Sequence, residues 1–162
     1  MRKFSKFEGE ISSIGIIVNP KILEKFQKII YEILKYIENF KIIVEKDTAD
    51  KLNFKNFEVR DINEIYADLV LTFGGDGTIL HSLRELPNDP LILGINFGNL
   101  GFLTELNKRN AIEGIKKVIN KDFYVERRTM LSVNKKYNAL NELVISGQFP
   151  ANLLDFVIKI GN

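Results

Sequence analysis

Apolar runs and apolar stripes alternate along the first two thirds of the chain. Ile14 to Val18 is a short continuous apolar run, as expected of a strand buried on both faces. Asn19-Pro20 follows and predicts a helix start, with Asn as cap and Pro in the first turn. Ile22, Phe26, Ile29, Ile30, Ile33 and Ile37 recur on one helical face and predict a helix that ends near Asn39. Lys41 to Glu45 reads as a second strand. Residues 46–67 are polar and weakly periodic, a connection with room for one short strand or helical turn. Ala67 to Phe73 is the next strand and runs directly into Gly74-Gly75-Asp76-Gly77-Thr78, with a helix expected from about Thr78 to Pro87. Pro90 to Ile95 is another buried strand, closed by a turn over Asn96 to Gly101, and Ile112, Ile115, Val118 and Ile119 mark one more helix. This alternation predicts an α/β domain, a Rossmann-like parallel sheet covered on both faces.

The pattern changes after residue 122. Phe123 to Val133, Tyr137 to Ile145 and Leu153 to Ile160 read as three successive strands, with Asn134-Lys135-Lys136 as a turn. Leu154, Phe156, Ile158 and Ile160 alternate with Asp155, Val157 and Lys159, the signature of a half-buried antiparallel strand. The expected organisation is therefore an α/β nucleotide-binding domain over residues 1–122 and the opening strands of an all-β domain over 123–162. Three strands cannot close a sandwich, so the β domain reads as incomplete.

Composition narrows the function classes. The 162 residues are 45% hydrophobic and 27% charged, enough apolar material for a real core. With 23 basic and 21 acidic residues the net charge is +2, too even to point to nucleic acid or an anionic membrane as the main partner. There is no Cys, which excludes thiol catalysis and thiolate metal sites, and His81 is the only His. No apolar stretch is long enough to span a membrane and no secretory segment is apparent, so the cytoplasm is the expected location.

Gly74-Gly75-Asp76-Gly77-Thr78 carries the strongest chemical signal. Three Gly in four positions allow a sharp turn and close approach of a ligand to the backbone. The turn feeds a helix N-terminus, which favours an anion such as phosphate. A carboxylate repels phosphate, so Asp76 suits a general base or a group near a metal ion; the alternative is a tight strand–helix turn with Asp76 as a helix cap. No Gly is followed by Lys, and Gly75-x-Gly77 lacks the third Gly of a dinucleotide fingerprint. A second cluster, Asn96 to Leu103, follows a strand whose carboxyl end is where open α/β sheets bind ligands. It reads equally as a Gly turn with Phe97 and Phe102 in the core. Asn141-Glu142 interrupts an apolar strand. An amide beside a carboxylate suits ribose hydroxyls or an adenine edge, and an edge-strand pair facing water is the alternative.

Together these residues resemble the NAD kinase family (ATP:NAD 2′-phosphotransferase). The match comprises Gly74 to Thr78, then Asn96 to Leu103 with Thr104-Glu105, then Ala139-Leu140-Asn141-Glu142, in the family's order and separation. It covers roughly residues 14–160. The first motif alone is shared with diacylglycerol kinases and loosely with phosphofructokinases, so a lipid kinase is the enzymatic alternative and a non-catalytic nucleotide-binding fragment the other. The resemblance implies that Asp76 takes the proton from the adenosine 2′-hydroxyl of NAD. It also implies that Gly74, Gly75, Gly77 and Thr78 form a phosphate loop and that Asn141 and Glu142 hold NAD. His81 and Asn152 fall where the family has nucleotide contacts. Ile79 stands where some members have an aromatic, and a later Thr/Gly/Ser/Tyr-rich motif has no counterpart here. Implied partners are NAD and ATP, with Mg²⁺ or another divalent cation accompanying ATP and no metal held by the protein itself, and a homo-oligomer in the whole protein. The product would be NADP.

Overall fold

The computed structural model describes residues 3–52, 57–98, 101–147 and 153–159. Six strands form one sheet: β2 (Ser13–Val18), β3 (Lys41–Glu45), β4 (Glu58–Arg60), β5 (Leu69–Phe73), β6 (Leu91–Asn96) and β7 (Leu106–Asn107). Their order is β4-β3-β2-β5-β6-β7, and every pairing is parallel. The chain builds outward from β2 to β4, crosses back, and builds the other way from β5 to β7. The direction therefore reverses between β2 and β5, the topological switch point of a doubly wound sheet.

Burial follows from alternation along these strands. One face of the sheet contributes Ile14, Ile16, Val18, Leu69, Leu71 and Phe73, packed against Phe26, Ile30 and Ile33 of α1 (Leu23–Tyr36), its C-cap Ile37, and Ala111 and Ile115 of α4 (Ala111–Ile119). Ile17, Ile43 and Val70 point the other way and meet Ile65 and Ala67, with Ile62 and Leu86 packed against them. Leu86 follows α3 (Asp76–Glu85). Each fully buried Ile or Leu contributes about 1.5–3 kcal/mol relative to exposure, so the two layers dominate the stability of this part.

The strands and helices of the α/β pattern form where the apolar periodicity places them, with shifts at their ends. Regular α1 starts at Leu23, later than Asn19-Pro20 suggests. Asn19 is still bound to the sheet, its N–H donating to the Phe73 carbonyl at 2.8 Å, and its Oδ1 accepts from the Lys21 N–H at 3.0 Å. The connection over 46–67 holds more structure than its polarity suggests. It contains α2 (Lys46–Leu52), β4 and a 3-10 turn (Ile62–Glu64). Glu45 caps α2, accepting from the N–H groups of Asp47 and Thr48 and from the Thr48 hydroxyl. The buried Thr48 hydroxyl in turn accepts from the Val18 N–H at 3.0 Å.

The chain divides into two compact units, one to Arg127 and one from Arg128. The sequence pattern alone places the change at residue 122. The stretch expected as one strand from Phe123 to Val133 is instead two. β8 (Tyr124–Arg127) pairs antiparallel with β1 (Lys3–Lys6), and Phe7 stacks on Phe123 at 4.8 Å, which carries the first unit on to Arg127. In the second unit β9 (Leu131–Val133) and β10 (Tyr137–Ala139) form an antiparallel hairpin. Its turn is the expected Asn134-Lys135-Lys136, with positive φ at Asn134 and Lys135. The strands expected to continue through Ile145 and over Leu153 to Ile160 do not form among the described residues. Alternation stabilises a strand only when another strand pairs with it. Here Val144, Leu153 and Val157 stay 76%, 100% and 84% exposed. Ile160 lies outside the described residues. No described helix is long and apolar enough to cross a membrane.

Candidate active site

The site grows from the end of β5. All five residues of this strand are buried, and its last hydrogen bonds pass to the turn that follows: the Gly74 N–H donates to the Ile95 carbonyl at 3.0 Å. Gly74 has a packing reason. A Cβ there would overlap the Thr78 hydroxyl and come within 3.1 Å of Asn19 Cβ. Thr78 is thus buried behind the turn, its N–H donating to the Gly75 carbonyl at 2.9 Å. Gly75 and Gly77 differ, since a Cβ on either would meet nothing within 4 Å. Of the three Gly, one serves internal packing and two face open space.

α3 starts at Asp76, two residues earlier than its apolar pattern predicts, with Gly75 as N-cap. The Asp76 carboxylate does not cap its own helix. It reaches across to the segment after β6, where Oδ2 accepts from the Phe102 N–H at 2.8 Å and Oδ1 from the Leu103 N–H at 3.0 Å. Its negative charge also lies in the first turn of α3, the favourable end of the helix dipole.

Ile22, Gly74, Gly75, Asp76, Asn96, Phe97, Gly98 and Gly101 line a cleft of about 390 Å³. Asn96 ends β6 and the others follow β2, β5 and β6, so the cleft opens at the carboxyl edge of the sheet beside the switch point. Asp76 is the only carboxylate among the described lining residues. Phe97 forms a wall, stacked on Phe26 at 4.5 Å and on Phe73 at 6.0 Å. Phe102, the other candidate core aromatic, is 90% exposed, because its backbone rather than its ring is tied to Asp76.

His81 is exposed on α3 and is not among the lining residues. Asn141 and Glu142 belong to the second unit, both exposed, beyond the end of β10 rather than within a strand. Asn152 lies outside the described residues. Asn96, Phe97, Gly98 and Gly101 of the lining fall inside the Asn96 to Leu103 cluster that the sequence offers as a ligand edge, whereas Ile22 reads from the sequence only as part of the α1 stripe. Among the described residues no group of three His, Cys, Asp or Glu side chains could hold a metal ion.

A parallel sheet reversing at a Gly-rich strand-to-helix turn, with a lone carboxylate on an open cleft, defines a doubly wound α/β ligand-binding domain. Residues 14–123 match the ATP-NAD kinase N-terminal domain, and the chain belongs to the NAD kinase family. The NAD kinase of Methanosphaera stadtmanae is 39% identical over 134 residues, covering 79% of this chain and 49% of the relative. That of Methanothermobacter thermautotrophicus is 34% identical over 153 residues, covering 91% and 54%. The chain spans about half the length of the curated relatives it matches. The fold matches that of yeast NADH kinase, solved in complex with NADH, with a TM-score of 0.64 at 20% identity over 81% of this chain and 46% of that one.

Proposed function

We propose that the full-length protein is an NAD kinase, which transfers the γ-phosphoryl of ATP to the adenosine 2′-hydroxyl of NAD. The observation that carries this reading is Asp76, the sole carboxylate among the described residues lining a cleft built from the family's Gly-rich motif. Asp76 removes the hydroxyl proton as the 2′-oxygen bonds to the γ-phosphorus and the bond to the ADP oxygen breaks. The proton passes from Asp76 to solvent and the products are NADP and ADP. Each Asp76 oxygen accepts one amide hydrogen bond and keeps a lone pair for this task.

Gly75 and Gly77 leave room for a phosphate to approach the N-terminus of α3, where the first N–H groups have no intrahelical partner. Thr78 holds the turn from behind. Glu142 and Asn141 bind NAD on its ribose hydroxyls, and His81 and Asn152 are assigned only peripheral nucleotide contacts. A divalent cation would accompany ATP as its phosphate chelate, beside Asp76, the one carboxylate among the described lining residues. The two substrates are intracellular nucleotides, so a cytoplasmic place in NADP biosynthesis fits, and self-association belongs to the same family reading.

The test presents the full-length protein, ATP and Mg²⁺ with NAD or with diacylglycerol. NADP should accumulate, read by an NADP-specific dehydrogenase, while phosphatidic acid does not. Phosphorylation of the lipid with no NADP would replace the reading with a lipid kinase.

A further inference from the structure

We propose that Gly101 and Thr104 are positioning residues that aim the Asp76 carboxylate into the cleft. The inference rests on the reading of Asp76 as the base. A segment outside α3 grips Asp76. The amides of Phe102 and Leu103 each hold one carboxylate oxygen, so the plane of the group is set by where this segment lies. Gly101 lets the segment come close enough. A Cβ at Gly101 would overlap Asp76 Oδ1 and lie 2.8 Å from Cγ. Its φ is not in the left-handed region, so the backbone would accept alanine. What stands in its way is the carboxylate first and the Thr104 hydroxyl second.

Thr104 fixes the segment to the sheet with both halves of its side chain. It is 8% exposed. Its methyl lies against Gly94 of β6, within 3.0 Å of where a Cβ would stand. Its hydroxyl lies 2.9 Å from the Cβ position of Gly101 and accepts a long hydrogen bond, 3.4 Å, from the buried Asn96 amide. Asn96 ends β6, and its Oδ1 accepts from the Gly98 N–H at 2.8 Å. The next residue rejoins the sheet, with the Glu105 N–H donating to the Gly94 carbonyl at 3.1 Å. Thr104 therefore supports the segment at the point where it turns under Asp76. A base displaced by about 1 Å can cost about a hundredfold in rate, so this support bears on turnover more than on binding.

The experiment compares Thr104→Val, Thr104→Ser and Gly101→Ala in the full-length protein. Thr104→Val keeps shape and removes the hydroxyl. It should lower kcat by about tenfold with KM for both nucleotides little changed, and Gly101→Ala by about a hundredfold. Thr104→Ser keeps the hydroxyl and loses only the methyl, so it should recover most of the kcat that Thr104→Val loses. Amide hydrogen exchange at Phe102 and Leu103 should quicken in the valine variant and return to normal in the serine variant. Should Gly101→Ala fail to fold, the Val/Ser pair decides alone. Wild-type kcat with unchanged exchange in Thr104→Val would overturn the proposal, as would a rise in KM at constant kcat or a loss that Ser does not rescue. Wild-type turnover in Asp76→Asn would instead remove the base assignment, and the exchange result would still report whether Thr104 positions the segment.

Discussion

Two carboxylates flank β5, Asp68 just before it and Asp76 at the start of the helix just after. Both are held by backbone N–H groups from another part of the chain. Asp68 Oδ2 accepts from the amides of Ser12 and Ser13 at 2.8 and 2.9 Å and from their hydroxyls at 2.7 and 2.9 Å. The Ser12 amide, then the Ser12 and Ser13 hydroxyls, pull its carboxyl from the ordinary 3.8 down to about 2, against a smaller opposing effect of burial and with the Ser13 amide adding to the pull. Asp76 has fewer partners, one amide per oxygen. Hydrogen bonding alone would rank Asp68 as the better-built site. What separates them is the surrounding space: Asp68 ties the amino end of β5 to the start of β2, whereas Asp76 borders an open cleft at the carboxyl edge. An anchored carboxylate becomes chemistry only where a substrate can reach it.

The largest effect that sharpens this contrast is on turnover. Asp76→Asn should lower kcat by about 10²–10⁴-fold, the usual worth of a general base, in an NADP-formation assay. A third carboxylate, Glu142, should act on binding alone. Glu142→Ala should weaken NAD by about tenfold to a hundredfold, from the loss of a charged hydrogen bond of about 1.5–3 kcal/mol, and leave ATP unchanged in separate titrations. Equal weakening of both nucleotides would remove its assignment to NAD. Asp68→Asn should cost about 1 kcal/mol in urea unfolding, a figure held low because the carboxylate is exposed and screened. The smallest effect is its pH dependence. The folded value lies below the ordinary one, so the Asp68 contribution is complete above about 3.8, fades as pH falls and is gone near 2. Urea midpoints across that window should slope less in Asp68→Asn than in the wild type.

The same contrast explains what the amino-acid pattern makes legible. Buried parallel strands such as Leu69–Phe73 are continuous apolar runs, and α1 and α4 carry clear stripes, so the α/β layout reads directly. β4 does not: Glu-Val-Arg has no strand signature and is held by its pairing with β3 and by Glu58 bridging Lys41 and Arg60. β1, and β7 with its two residues, are likewise made by their partners. The strands expected beyond β10 fail for the converse reason, a correct alternation with no described strand to pair. At the site, Gly74 to Thr78 stands out by composition, yet the division of labour among its Gly residues depends on Thr78 and on open space. The donors of the clamp on Asp76 leave no trace in residue type, because they are the main-chain amides of residues 26 and 27 positions further along; only Gly101, which lets them approach, shows in the sequence.

The most direct test of the central claim is the turnover of Asp76→Asn set against Asp68→Asn, at full length and in one NADP-formation assay. Both variants replace an amide-anchored carboxylate, and both should lose a similar small amount of stability, about 1 kcal/mol each. Only Asp76→Asn should lose turnover, by at least about a hundredfold, while Asp68→Asn keeps the wild-type kcat. Equal turnover in the two variants, whether both retain it or both lose it, would contradict the claim that access to the cleft makes Asp76 the reacting carboxylate.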